Sequence, residues 1–402
     1  MRENVEFVQK NGFAKPSKNN FMKIEQSVWT AEIGWTPKLV ESKIEANLVI
    51  LFGSGETLRN RKLIEKLRKQ YPESITMGCT TSGEILASKL NEQSLVSTAI
   101  EFEQTEIRGT ETSIKEAKSA YAVGKKLANE LNDPELNHIF LLSDGSVVNG
   151  SELVRGIHEH LSDHVSVTGG LAGDYYDFND TYVLFNNSCD THKVAAVGFY
   201  GDHLQVGHGC FGGWDPFGPD RLITRSEGNI LYELDDQPAL QLYKRYLGEH
   251  ATELPASGLL FPLSIRKNTA TSGQVRTILG VDEEQQSLIF AGDVPEGSYA
   301  RLMKANNNRL LDGAHDAALE ARKMQNDLSP DLALLISCVG RRMVLKQRIE
   351  EELEEVSEIL GPHTAITGFY SYGEIAPSKI YLPSTLHNQT MCITTFSETK
   401  HA

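Results

Sequence analysis

A strand followed by a glycine turn recurs at two distant points of the chain, "TMGCTTSGEI" at 76–85 and "ITGFYSYGEI" at 366–375. Each copy closes a longer unit. In the first, "NLVILFGSG" is an apolar run ending in glycines. "LRNRKLIEKLRKQ" then carries Leu63, Ile64 and Leu67 on one helical face. In the middle of the chain "HIFLLSDGS" precedes "SELVRGIHEHL", with Ser151 placed to cap a helix whose stripe is Val154, Ile157 and Leu161. "VSVTGGLAGD" closes that copy. In the last, "DLALLISCVGRR" and "LKQRIEEELEEVSEIL" lead into the second quoted turn. A strand–helix–strand unit therefore occurs three times, and repetition on this scale reports duplication. The middle turn is one residue shorter, with Asp174 standing where Glu84 and Glu374 stand in the others.

Short helices between apolar strands predict an α/β fold built of duplicated strand–helix–strand units, with largely buried mixed sheets. Further helices are expected at 114–131, at "PALQLYKRYLGE" with Pro238 in its first turn, and at 309–325. "YVLFNN", "VAAVGFYG", "LQVGHGC", "VRTILGV" and "SLIFAGDV" read as antiparallel additions. Residues 1–27 read as a polar lead-in, 28–235 as the first half and 236–402 as the second. No Pro- or Ser-rich linker separates the halves, so they are expected to pack closely.

The chain has 402 residues and a net charge of −15, which argues against nucleic acid or anionic lipid as general partners. No apolar run approaches the roughly 20 residues of a membrane helix. The first segment is polar, without the apolar core of a secretory signal, so the expected compartment is the cytoplasm. Five cysteines without a CxxC pair fit reduced thiols used for packing.

Several segments invite a chemical reading. "FGSGETL" at 52–58 is a glycine turn between strand and helix, but it lacks the Walker Lys-Ser/Thr and the third glycine of a dinucleotide fingerprint. Glu84 and Glu374 follow strand ends, where pockets of α/β proteins lie. They are suited to a ligand amine, or equally to fixing their own turns. Cys79 and Thr80 sit in the first turn and Tyr370 in the last. Cys79 has no histidine near it in sequence to generate a thiolate, so it reads as a packing residue at a pocket wall. Arg341 and Arg342, at a strand end, can bind an anionic group or neutralise the acidic run "RIEEELEEVSE". The segment 206–220, "VGHGCFGGWDPFGPD", reads as a shaped loop around His208. That histidine can ligate iron or be an ordinary interior residue. No HExxH, CxxCH or zinc cluster accompanies it.

"GCTTSGEI", "GGLAGD", "EGNILYELDDQPALQLYKRYLGE", "FPLSI", "ALLISCVGRR", "GFYSYGEIAP" and "LHNQTM" resemble, in this order, the FIST family of signal-transduction sensors over roughly residues 30–395. The resemblance implies ligand sensing, without an established catalytic set. "HGCFGGWDPFGP" followed by "RLITRSEGNILYEL" is most similar to the free-standing branch that binds haem, senses nitric oxide and regulates a partner histidine kinase. That branch implies non-covalent haem b with His208 as the residue to test at the iron. His387 belongs to the general "LHNQTM" motif and discriminates less. An amino acid or other metabolite is the alternative ligand, with Glu84 or Glu374 on its amine and Arg341 on its carboxylate. An enzyme using Cys79 or the glutamates ranks below both. A homo-oligomer is compatible with the chain.

Overall fold

The computed structural model describes residues 22–39, 42–175, 180–254, 256–268, 273–378 and 382–399. The predicted mixed α/β architecture is present, and the duplicated unit recurs three times. The first unit has strands β1 (Met22–Thr30), β2 (Leu48–Gly53) and β3 (Ile75–Thr80), a hairpin of β4 (Glu84–Leu86) and β5 (Lys89–Asn91), and β6 (Leu95–Phe102). Helix α1 (Arg61–Gln70) joins β2 to β3. The second repeats the order as β7 (Glu106–Ser113), β8 (Leu136–Ser143), β9 (Ser166–Leu171), hairpin β10 (Val183–Phe185) and β11 (Ser188–Asp190), and β12 (Lys193–Tyr200). It carries helices α2 (Ala120–Leu131) and α3 (Gly150–His158). The third has β13 (Leu204–Phe211), β14 (Leu332–Cys338), β15 (Ala365–Ser371), hairpin β16 (Gly373–Pro377) and β17 (Ser384–His387), and β18 (Met391–Glu398). Its helices are α4 (Asn307–Lys323), α5 (Val339–Leu345) and α6 (Ile349–Leu360). The described chain enters β1 at Met22, within the stretch read as a lead-in.

Each unit gives its hairpin to another. The sheets run β11-β10-β3-β2-β6-β1, β17-β16-β9-β8-β12-β7 and β5-β4-β15-β14-β18-β13, the first continuing to a short strand at Gly34–Thr36. The first hairpin thus extends the third sheet, the second extends the first and the third extends the second. Among the described residues only the pairs β2–β3, β8–β9 and β14–β15 are parallel, each joined through a helix as a parallel connection requires. The first glycine of the repeated motif is a packing requirement there. A Cβ at Gly78, Gly169 or Gly368 would strike the carbonyl of Leu51, Leu141 or Leu335 on the neighbouring parallel strand.

Central strands such as "LVILFG" and "LALLISC" are buried along their whole length because both sheet faces are covered. Helices cover the outer faces. The inner faces meet in one core containing Phe52, Cys79, Phe140, Val197, Ile336 and Phe369, drawn from all three units. The cap of the helix in the middle unit lies two residues before the expected one: the Asn149 side chain, not Ser151, accepts the Ser151 and Glu152 N–H groups.

Residues between β13 and α4 form a separate sheet with the helix Ala239–Leu247 packed on it. Its own core joins Ile223, Leu240, Tyr243, Ile278, Phe290 and Leu302. The segment expected as a loop around His208 divides. It is strand β13 through Phe211, because Gly207 and Gly209 let the backbone of α4 lie directly on β13 at Ala321 and Ala317. The cysteines also depart from expectation. Cys210 and Cys392 face each other in register on β13 and β18, with Cα atoms 4.1 Å apart, and form a disulfide. Cys79, Cys189 and Cys338 are free thiols.

Candidate functional site

The three glycine turns converge. Ser82 N–H donates to the Tyr370 carbonyl at 2.8 Å, Gly173 N–H to Thr80 at 2.9 Å and Tyr372 N–H to Leu171 at 3.2 Å. They meet as a closed, fully buried polar junction that includes Cys79, Thr80, Glu84, Tyr370 and Glu374. Glu84 accepts the Thr81 hydroxyl at 2.5 Å, the Ser94 hydroxyl at 2.6 Å and the Ser94 N–H at 3.3 Å. Glu374 repeats this with Ser371 at 2.7 Å and with the hydroxyl and N–H of Thr390 at 2.8 and 3.2 Å. Burial pushes both carboxyls up to about 7, against the pull of these hydrogen bonds.

Register corrects the assignment in the middle unit. Glu84 pairs with Phe369, Glu374 with Gly170 and Val183 with Cys79, so Val183, not Asp174, holds the equivalent place. The carboxylate comes instead from Asp144, which accepts the Thr181 hydroxyl at 2.6 Å and the His192 N–H at 2.5 Å. In all three units a carboxylate takes the N–H of the residue just before the last strand, namely Ser94, His192 or Thr390. Each one fastens an exchanged hairpin to the strand it crosses.

Arg341 is fully buried. It bonds Glu352 through Nε at 3.0 Å and Nη2 at 2.6 Å, the Leu310 carbonyl at 2.7 Å and the Gly212 carbonyl. Tyr370 donates to the same Glu352 at 3.2 Å. These groups tie α6 to β15 and the segment after β13. Burial raises the Cys79 thiol well above its ordinary range, which removes thiolate character. Arg342, one residue on, does reach a cleft. It bonds Glu92 and the Ser82 carbonyl and lines an open space of about 590 Å³ with Met343, Lys346 and Glu350.

His208 shares a strand face with Leu204 and Val206, which pack in the central core. It is buried, its ring is held neutral by burial, with the pKa down to about 4, and it lines none of the clefts described here. His387 is also buried, with Nε2 3.0 Å from the Ala376 carbonyl.

A second cleft, of about 530 Å³, lies where α3 and β17 face the inserted sheet. Its walls carry Arg155 and His158 from α3, Arg266, Lys267 and Arg276 from the inserted sheet, and Thr385 from β17. Arg276 is almost fully buried. It donates to the Leu386 carbonyl at 2.9 Å, the Gln274 side chain at 3.1 Å and the Asp293 carbonyl at 3.2 Å. Burial lowers it to about 10. His158 Nε2 accepts the Ser384 N–H at 2.9 Å, which fixes the neutral ring with its proton on Nδ1. The available signal in sequence was an arginine inside the apolar run "VRTILGV", read only as a strand. Size and mixed lining match small-molecule sites, which favour junctions between structural layers.

A FIST N domain matches residues 47–237 and a FIST C domain matches residues 239–377. An uncharacterized protein of Methanocaldococcus jannaschii is 24% identical over 342 residues, covering 77% of this chain and 63% of the relative. The chain therefore spans less than two thirds of that relative's length. The cleft at Arg276 takes its walls from both matched domains.

Proposed function

Because the chain belongs to the FIST family, whose domains are signal-transduction sensors, we propose that it binds a small ligand in the cleft between α3 and the inserted sheet. The observation that carries this reading is the shared ownership of that cleft. α3 belongs to the FIST N segment, while Arg266, Lys267 and Arg276 belong to the FIST C segment. A ligand touching both biases their relative setting only if it binds one setting better than the other, and that difference is the signal. The receiver is a separate signalling enzyme, with a histidine kinase as the expectation from the resemblance. Binding in this reading involves no chemical turnover.

The alternative ligand is haem b with nitric oxide as its signal. It is supported by the similarity of residues 208–234 to the haem-binding branch, and it requires an iron ligand in a setting other than the packed His208 seen here. One experiment separates the two. The purified protein is titrated with haem by absorption and, in parallel, melted with a panel of soluble metabolites. The cleft reading expects a melting temperature that climbs with one metabolite's concentration, as binding to the folded state requires. A stoichiometric Soret band that shifts with nitric oxide, together with a flat metabolite panel, overturns it in favour of haem.

A further inference from the structure

The cleft at Arg276 is lined by more basic than acidic side chains. In a molecule of net charge −15, its lining holds Arg155, Arg266, Lys267 and Arg276; Arg266 is ion-paired with Asp220 and Arg155 lies 3.7 Å from Glu152, both outside the lining, while the lining itself carries two carboxylates, Glu159 and Asp293. Both acids already serve neighbours. Glu159 accepts the Tyr121 hydroxyl at 2.6 Å, and Asp293 accepts the Asn149 amide at 3.0 Å. Arg276 has more N–H groups than its three protein bonds use, and neutral His158 adds an N–H at Nδ1. The floor offers the Thr385 hydroxyl, itself held by the Gln274 amide at 2.9 Å. Apolar contact comes from Val154, Ile265 and Leu386. Cations thus stand on two sides of the cleft, Arg155 on α3 and Lys267 with Arg276 on the inserted sheet.

Resting on the reading of this cleft as the ligand site, we propose that its ligand is a compact organic dianion, a molecule with a short carbon frame and two anionic ends. The two ends bridge the facing cationic walls, so the occupied cleft draws the inserted sheet toward α3. Guanidinium groups grip carboxylate and phosphate alike, and the shared chemistry is the pair of anionic ends. A cleft with walls of one sign also concentrates such ions from solution, an effect that salt weakens.

The test uses the full chain in low salt, by calorimetric titration and thermal melting. The probes are succinate, propane-1,3-diol bisphosphate, inorganic phosphate, neutral glycerol and cationic putrescine. An organic dianion is expected to raise the melting temperature with concentration, and which of the first two binds assigns carboxylate or phosphate ends. Arg155→Glu combined with Lys267→Glu changes two exposed side chains and leaves the core intact. It is expected to weaken that binding by about tenfold or more, the factor that about 1.4 kcal/mol represents. If glycerol or putrescine binds instead, and Pro295→Trp at the cleft rim abolishes it, the dianion is overturned while the cleft stands. If a dianion binds wild type, the double variant and Pro295→Trp equally, the cleft itself is overturned. Silence across all five probes overturns the dianion assignment.

Discussion

Glu84 and Glu374 look in sequence like a pair of pocket acids, and in the fold they are internal fasteners. Their cost is visible in their titration. Each carboxyl holds its proton to about 7 in the fold, against 4.5 as its ordinary value. Between those values the folded chain binds more protons than the unfolded chain, so stability falls as pH rises through that window. The loss is complete above it and comes to about 3 kcal/mol per group. Glutamine at position 84 does not titrate. The stability difference between wild type and Glu84→Gln should therefore move by about 3 kcal/mol in favour of the variant from pH 4.5 to 8. Urea unfolding across that range checks this, and a constant difference would show that folding does not raise the carboxyl's pKa. The adjacent arginines give a companion lesson. "RR" at 341–342 announces two equivalent cations, but the helical turn of α5 sends Arg341 into a buried pair with Glu352 and leaves Arg342 to the cleft. Nothing in the dipeptide distinguishes them, since what decides is which neighbour each one meets.

The elements themselves were largely legible. Apolar runs bounded by glycines and the helical stripes between them predict all three strand–helix–strand units. What sequence hides is partnership. A short strand such as "EIL" at 84–86 carries no mark that its neighbour is β15, because backbone pairing is the same chemistry for any partner. The glycines of β13 misled for a related reason. Glycine weakens a strand on average, yet here it admits α4 at backbone contact distance. The disulfide was hidden by a sequence separation of 182 residues. The hairpin exchange makes a firm prediction about cutting the chain. Separated at Asp202, the first fragment keeps β4–β5 without the sheet it extends, and the second keeps β16–β17 in the same condition. Unpaired edges of this kind aggregate. The two fragments should be poorly soluble when made separately and should co-purify as one complex when made together. Two monomeric, cooperatively melting fragments would contradict the exchanged topology.

At the scale of the whole molecule, the two halves match the two FIST domains, and they build a body of three sheets around one core and an inserted sheet with another. The insert leaves and returns at one place, since Asp215 pairs directly with Lys304. Replacing residues 217–302 by a short linker should leave the three-sheet body with a single cooperative melting transition. It should also remove the response to any ligand of the Arg276 cleft. Calorimetry and the same ligand panel read both outcomes, and loss of the cooperative transition would mean that the body depends on the insert.

The ring of exchanged hairpins also sets a timetable during synthesis. β4 leaves the ribosome early, but β15, the strand it must pair with, is made nearly three hundred residues later. At about 5–20 residues per second that interval is on the order of 15–60 s. Through it the first hairpin has no sheet to join, and the shared core lacks a third of its walls. The chain is then most exposed to wrong partners, including a second nascent copy on the same message whose own β15 is already finished.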